Sequence, residues 1–178
     1  MVNPQFLSSG RLPYLIRALQ RSPAAIAHVS GSTDYPAVNG DLSFYRTDFG
    51  VLIAVQIFGL PRPGIACQDP VFALHIHSGS SCTRNEEDPF ADALTHYNPD
   101  HCPHPHHAGD LLPLWGNDGY AFTLFLSDRF SVEEIIGRTV IVHRKPDDFT
   151  TQPAGNAGEK IACGKIRQAA PCCSSRRY

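Results

Sequence analysis

The stretch VFALHIHSG, residues 71–79, alternates apolar and imidazole side chains in a way that indicates a β-strand. Successive side chains of a strand point to opposite faces, so Leu74 and Ile76 take one face and His75 and His77 take the other. The stretch therefore predicts a strand with one face for a core and two imidazoles that can converge on one metal ion. Two hydrogen-bonded surface histidines are the alternative.

Six other runs are equally rich in apolar and β-branched residues, and Gly, Pro, Asn and Asp separate them. With VFALHIH (71–77), the runs are AAIAHVSG (24–31), DLSFYRT (41–47), VLIAVQIFGL (51–60), YAFTLFL (120–126), GRTVIVH (137–143) and EKIACGKI (159–166). This number and spacing are typical of an antiparallel sandwich or Greek-key barrel. We therefore predict an all-β Greek-key fold of about seven to eight antiparallel strands.

Two helical features and two long loops complete the prediction. Apolar residues at helical spacing predict a short amphipathic N-terminal helix that packs on the domain, with a partner-binding helix as the alternative: Leu12, Leu15, Ile16 and Leu19. Ser131 and Glu134 form the pattern of a capping box and predict a helical turn. Residues 78–118 and 144–159 fit no strand pattern, and long ordered loops are usually functional.

Length and charge restrict the function classes. The 178 residues suit one domain, and the net charge of −2 gives no basic surface for nucleic acid or for a membrane. Arg11 and Arg17 interrupt the apolar part of the N-terminus, so it does not resemble a signal peptide. We expect a cytoplasmic protein that binds neither nucleic acid nor membranes.

The segment HYNPDHCPHPHHAGD, residues 96–110, contains five of the nine histidines. Its prolines exclude a regular helix, so it is a constrained loop. Histidine nitrogens together with the Asp110 carboxylate suit tetrahedral zinc, and an incidental histidine-rich turn is the alternative. His143, at the end of GRTVIVH, is a further candidate ligand, although a histidine at a strand end is often structural.

Six motifs occur in an order that resembles the copper/zinc superoxide dismutase family: HIHSG, HYNP, HAGD, IIGRTVIVH, PDD and GNAGEKIACG. The similarity covers residues 24–166, in a bacterial-type form with shortened zinc and electrostatic loops. It leaves residues 1–23 as an N-terminal extension with the short helix, and residues 167–178 as a cysteine-containing tail.

The resemblance implies two metal sites that share one imidazole. It implies a copper site formed by His75, His77, His96 and His143. It implies a zinc site formed by His96, His104, His107 and Asp110. His101 and His106 have no counterpart in the family, and either could replace His104 if the shortened loop turns differently.

The resemblance also implies roles around the two metals. Asp147 matches a carboxylate that links a copper histidine to a zinc histidine, and such a partner orients the ligands. Cys82 and Cys163 match the disulfide of the family. Cys67 and Cys102 stay unassigned; we interpret them as buried thiols, with a second bridge or a soft metal ligand as the alternatives. We interpret Cys172 and Cys173 as part of a frayed tail, with binding of a soft metal as the alternative.

The implied reaction is the disproportionation of superoxide to dioxygen and hydrogen peroxide, with copper and zinc as cofactors and His96 as a proton carrier. Lys160 stands where the family usually has an arginine beside the copper; it keeps the charge without the planar fork, so we expect reduced activity. The alternative is a related protein that buffers copper or zinc without turnover. Superoxide is the expected small-molecule partner, and a homodimer is the assembly considered.

Overall fold

The computed structural model describes residues 10–62, 64 and 70–170. Its helices are α1 (Arg11–Leu19) and α2 (Val132–Ile135), and Ala91–Ala93 form a 3-10 turn. Its strands are β1 (Ala25–Gly31), β2 (Asn39–Thr47), β3 (Gly50–Phe58), β4 (Val71–Phe72), β5 (Leu74–His77), β6 (Leu114–Trp115), β7 (Ala121–Ser127), β8 (Thr139–His143) and β9 (Lys160–Gln168).

Seven strands form one antiparallel sheet in the order β5-β8-β9-β1-β2-β3-β7, and β4 pairs with β6 separately. Strands β3 and β7 lie at one side of this sheet, and β5 and β8 lie at the opposite side. The connections from β3 to β5 and from β7 to β8 therefore cross from one side to the other. Long crossing connections of this kind are those of a Greek key. The predicted all-β Greek-key fold is confirmed, and each of the seven predicted runs contains a strand.

The sheet curls around one apolar core. Alternate residues of the strands point into it, so that Phe44, Ile53 and Ile76 are completely buried. In β5 all four residues are buried, because the core covers one face and the long loops cover the other. The imidazoles of His75 and His77 therefore lie beneath the loops, away from solvent.

The structure differs from the predicted strand and loop boundaries near residue 73. The predicted strand 71–77 is divided at Ala73, whose N–H donates to Lys145 O and whose carbonyl accepts from the His143 N–H. The predicted loop 78–118 includes β6, which pairs with β4. A strand of two residues is too short to show periodicity, so the sequence gives no signal for it.

The predicted N-terminal helix and capping box are both present. The α1 helix packs on the turn between β2 and β3, where the Tyr14 ring lies 5.5 Å from the Phe49 ring and the Tyr14 hydroxyl accepts the Asp48 N–H at 3.2 Å. Ser131 caps α2 in a complete capping box with Glu134. In the part of the chain that the structure describes, no helix is long and apolar enough to cross a membrane.

The disulfide between Cys82 and Cys163 is present and joins residues 81 positions apart. Closing a loop of that length stabilises the fold by about 4 to 5 kcal/mol in the chain-entropy model. Cys102 is half-buried and forms no disulfide with any cysteine that the structure describes, so the buried-thiol interpretation does not hold for it. Cys67, Cys172 and Cys173 lie outside the described residues.

Candidate metal centre

Two strand partners and one loop bring four buried histidines together, which we call the strand group: His75, His77, His96 and His143. β5 supplies the first two, and β8, its neighbour in the sheet, ends in the last. His96 follows the 3-10 turn and forms an isolated bridge with His77. The Nε2 atoms of His77 and His143 lie 3.3 Å apart, and the His75 and His96 rings lie 4.0 Å apart.

A second buried set, the loop group, adjoins the first and shares one residue with it: His96, His104, His107 and Asp110. The His96 Nδ1 atom lies 2.8 Å from Asp110 Oδ1 and 3.3 Å from His107 Nδ1. An isolated bridge between His75 and Asp110 fixes the end of this loop against β5. His101 and His106 are exposed and do not join either group.

Backbone carbonyls orient two imidazoles of the strand group. His77 Nδ1 lies 2.9 Å from Leu94 O, and His143 Nδ1 lies 3.1 Å from Gly158 O. A carbonyl only accepts, so each Nδ1 carries the proton and donates it. The Nε2 atom of each ring is then left with a free lone pair that faces the other histidines.

Asp147 connects the two groups. Its Oδ2 lies 2.8 Å from His75 Nε2, and its Oδ1 lies 2.9 Å from His104 Nε2 and accepts the Phe149 N–H at 2.7 Å. This carboxylate fixes both rings so that the opposite nitrogens, the Nδ1 atoms, point inward.

Gly155 makes room for this carboxylate. A Cβ atom at Gly155 would lie 2.0 Å from Asp147 Oδ1 and 2.7 Å from His104 Nε2. The φ of +64° at Gly155 is also one that side chains disfavour. Glycine is therefore required on both grounds.

Among the residues that the structure describes, three inward-facing nitrogens are buried and have no hydrogen-bond partner: His75 Nδ1, His96 Nε2 and His104 Nδ1. Buried polar atoms without partners are unfavourable and point to an ion or ligand that satisfies them. His104 Nδ1 lies 3.1 Å from Asp110 Oδ2, but the two atoms do not form a hydrogen bond. This contact therefore leaves the nitrogen without a partner.

The spacing of the inward atoms fits metal ions. In each group the candidate ligand atoms lie within 4.8 Å of one another. Two ligands at tetrahedral zinc are about 3.3 Å apart, given bonds of about 2.0–2.1 Å. The pair separations of 2.8, 3.1 and 3.3 Å in the loop group are close to that value. Imidazoles with one carboxylate suit zinc, and imidazoles alone suit copper.

Protonation also favours metal binding. Burial lowers the pKa of His77 well below its usual value and that of His143 to about 3, and it also lowers those of His75 and His107. Desolvation opposes ionisation of Asp147, but hydrogen bonds from His75, the Phe149 N–H and His104 lower its pKa to about 2. At neutral pH these imidazoles are neutral and the carboxylate is charged, as metal ligands and their partners must be.

A cavity opens over the strand group and is lined by His77, His96, His143 and Lys160, among other residues. Lys160 is therefore near the expected copper, at the start of β9. Its ammonium does not point freely into the cavity, however. It donates to Asp88 Oδ2 at 2.6 Å and to Phe90 O at 3.1 Å.

Several residues that shape the centre were not predicted from the sequence. The carbonyls of Leu94 and Gly158 belong to the backbone and have no sequence signature. Arg129 Nη1 donates to the carbonyls of Pro105, His107 and Asp110 at 3.2 to 3.3 Å, which no local pattern indicated. Gly155 had a usable signal, because it begins the GNAG stretch of a recognised motif.

The chain is similar to known proteins over most of its length. A family model described as copper/zinc superoxide dismutase (SODC) matches residues 38–166. A curated relative, copper–zinc superoxide dismutase 2 of Aquifex aeolicus, is 32% identical over 145 residues, covering 73% of this chain and 80% of the relative. The copper–zinc superoxide dismutase of Deinococcus radiodurans is 28% identical over 146 residues, covering 71% and 76%. Extracellular copper–zinc superoxide dismutase of Drosophila melanogaster is 32% identical over 162 residues, covering 80% and 83%.

Proposed function

Because the chain belongs to the copper/zinc superoxide dismutase family, we propose that its two histidine groups are the copper and zinc sites of that family's reaction. The protein is an oxidoreductase that disproportionates superoxide to dioxygen and hydrogen peroxide with copper and zinc as cofactors. The residue assignment rests on the position of His96, whose buried ring presents Nε2 to the strand group and Nδ1 to the loop group.

The strand group would hold copper and the loop group would hold zinc. The copper ligands are His75 Nδ1 and the Nε2 atoms of His77, His96 and His143. The zinc ligands are the Nδ1 atoms of His96, His104 and His107 and a carboxylate oxygen of Asp110. When bound, copper supplies the one-electron chemistry, whereas zinc supplies a fixed positive charge without redox chemistry.

His96 would also carry a proton. The overall reaction consumes two superoxide anions and two protons for each hydrogen peroxide formed. His96 lines the cavity, and its buried Nε2 has no hydrogen-bond partner among the described residues, so this nitrogen can hold one of these protons and release it. Asp110, held by the His107 N–H at 3.0 Å, keeps the other side of the ring in place.

Lys160 would attract superoxide into the cavity. It contributes a positive charge beside His143, at the cavity wall. Lys160 lacks the planar fork of an arginine, so we expect a weaker anion site than an arginine would give. Its ion pair with Asp88 reduces the available positive charge further.

Metal buffering without turnover is not favoured, because several relatives that each match more than 70% of this chain are named as superoxide dismutases. A homodimer and a cytoplasmic location stay predictions. Light scattering of the purified protein tests the first, and cell fractionation tests the second.

The experiment that tests the site is reconstitution with copper and zinc, followed by metal counting and measurement of superoxide consumption. We expect two metal ions per chain and rapid consumption in the wild type. His143→Ala removes a proposed copper ligand and should abolish most of the activity, whereas His106→Ala, which changes an exposed histidine of the 96–110 loop, should not. Two bound metals with equal activity in all three proteins would contradict the proposal.

A further inference from the structure

The cavity over the strand group has a single permanent cation among its described lining residues, and that cation is already paired. Lys160 Nζ lies 2.6 Å from Asp88 Oδ2. The Lys160 side chain is only 15% exposed and that of Asp88 is 34% exposed. Solvent therefore screens this pair less than an ordinary surface pair, and each charge strongly offsets the field of the other.

The loop after β5 holds Asp88 in place by several contacts. Asp88 Oδ1 accepts the Phe90 N–H at 2.8 Å, and the carbonyl of Phe90 accepts a second hydrogen bond from Lys160. The disulfide from Cys82 ties the start of this loop to Cys163, three positions beyond Lys160 on β9. A fixed carboxylate, which does not itself line the cavity, thus holds the Lys160 ammonium at the cavity wall.

Asp88 is charged at neutral pH. Burial opposes its ionisation, but hydrogen bonds from Lys160 and the Phe90 N–H lower its pKa below the ordinary value. An incoming anion therefore meets an ammonium whose charge a neighbouring carboxylate already balances.

We propose that Asp88 is a positioning residue that holds the Lys160 ammonium at the cavity wall and offsets its charge, and thereby sets the affinity of the cavity for small anions. The inference rests on the proposed function, because the anion of interest is superoxide on its way to copper. Charged groups at a cleft steer ionic substrates, an effect for which superoxide dismutases are themselves an established example. A paired charge steers less than a free one.

The variant that tests this is Asp88→Asn in the copper- and zinc-loaded protein. Asparagine keeps the size of the side chain and an oxygen acceptor for Lys160 or Phe90, so it mainly removes the negative charge. Inorganic azide is the probe, and its binding is followed by the visible absorption of the bound copper. We expect azide to bind about three- to tenfold more tightly than in the wild type.

The same variant has a second readout in the kinetics. We expect kcat/KM for superoxide at low salt to rise by a similar factor, and to fall more steeply as the ionic strength increases. A role of Asp88 in loop structure alone would not raise anion affinity or steepen the salt dependence.

Two further variants isolate the pair. Glu87→Gln removes a charge from the same loop, and Glu87 forms no ion pair with any residue that the structure describes; its azide affinity should stay near the wild-type value. In a double-mutant cycle, Lys160→Gln should remove the gain that Asp88→Asn produces.

The outcomes separate this inference from the function on which it rests. If the wild type binds copper and Asp88→Asn binds azide no better than Glu87→Gln does, the inference on Asp88 is wrong and the metal assignment stands. If the gain persists without Lys160, the pair is not its cause. If the wild type binds no copper at the strand group, both are wrong.

Discussion

Asp147 orients one imidazole in each of the two histidine groups, because one carboxylate oxygen contacts His75 and the other contacts His104. A carboxylate accepts from both rings at once. An asparagine would offer one acceptor and would present an N–H to the second imidazole, which also donates there. Both groups therefore depend on the charge and the symmetry of this residue.

Replacing Asp147 by Asn should lower the zinc affinity about 10- to 100-fold, because His104 loses its fixed orientation. Competition with a chelator on the zinc-loaded protein measures this. Asp148→Asn is the matched control, since Asp148 is adjacent and exposed, and among the described residues its side chain accepts hydrogen bonds only from Thr150 and Thr151. Equal affinities in the two variants would contradict the role of Asp147.

Gly155→Ala should also weaken zinc binding, because the added Cβ would overlap the Asp147 carboxylate. Gly137→Ala separates backbone strain from this overlap: Gly137 has a φ of +90° but nothing within 4 Å of an added Cβ. We expect both variants to lose about 1 kcal/mol or more of unfolding free energy. Only Gly155→Ala should lose zinc affinity, and unchanged affinity there would count against the contact.

Part of the histidine arrangement could be predicted from the sequence pattern alone, and the rest of the proposed ligand set came from the resemblance to the family. Alternation in β5 places His75 and His77 on one face, and prolines force the 96–110 segment into a loop. Which loop histidines turn inward does not follow from that pattern. It depends on contacts made by residues distant in sequence, such as Asp147 with His104.

Among the larger elements, the loop that carries His104 and His107 is short and needs outside support. Arg129, just after β7, donates from one nitrogen to three carbonyls of this loop. Hydrogen bonds from a charged donor contribute more than neutral ones. Arg129 thereby links the segment between β7 and α2 to the geometry of the loop group.

Removing this support in Arg129→Ala should lower the zinc affinity by about tenfold, while copper binding by the strand group changes little. Metal titration with each ion in turn measures both. Arg46→Ala serves as the control, because Arg46 pairs with Glu133 on the surface and does not contact the loop. An equal loss for copper and zinc would show that Arg129 acts on overall stability instead.

Strands and helices were predicted correctly where their sequence pattern extends over several residues. The seven strand runs and the capping box at Ser131 follow from periodicity and end signals. The short β4–β6 pair and the division of the strand at Ala73 did not, because they depend on tertiary hydrogen bonds. The division of the chain at residues 23 and 166 stays a prediction.

For the molecule as a whole, the buried histidines make the stability of the metal-free protein depend on pH. Burial lowers the pKa of His143 from 6.5 to about 3. Between these values the unfolded chain binds a proton at this residue that the folded chain does not bind. The free energy of unfolding therefore decreases as the pH falls through this window, by roughly 1.4 kcal/mol per pH unit for each such proton.

Urea unfolding of the metal-free protein at a series of pH values from about 7 to about 4 measures this slope. His143→Gln should unfold with a smaller pH slope, because one titrating group is gone. A metal-free protein whose stability does not change across this range would contradict the buried, neutral histidines described above.

In the proposed centre one imidazole, that of His96, lies between copper and zinc. Crystals of the reconstituted protein, measured at the copper and zinc absorption edges, test it most directly. We predict a copper peak within the strand group and a zinc peak within the loop group, with His96 between them. Metal bound by His101 or His106, or a single metal that leaves His96 with one partner, would rule out this arrangement.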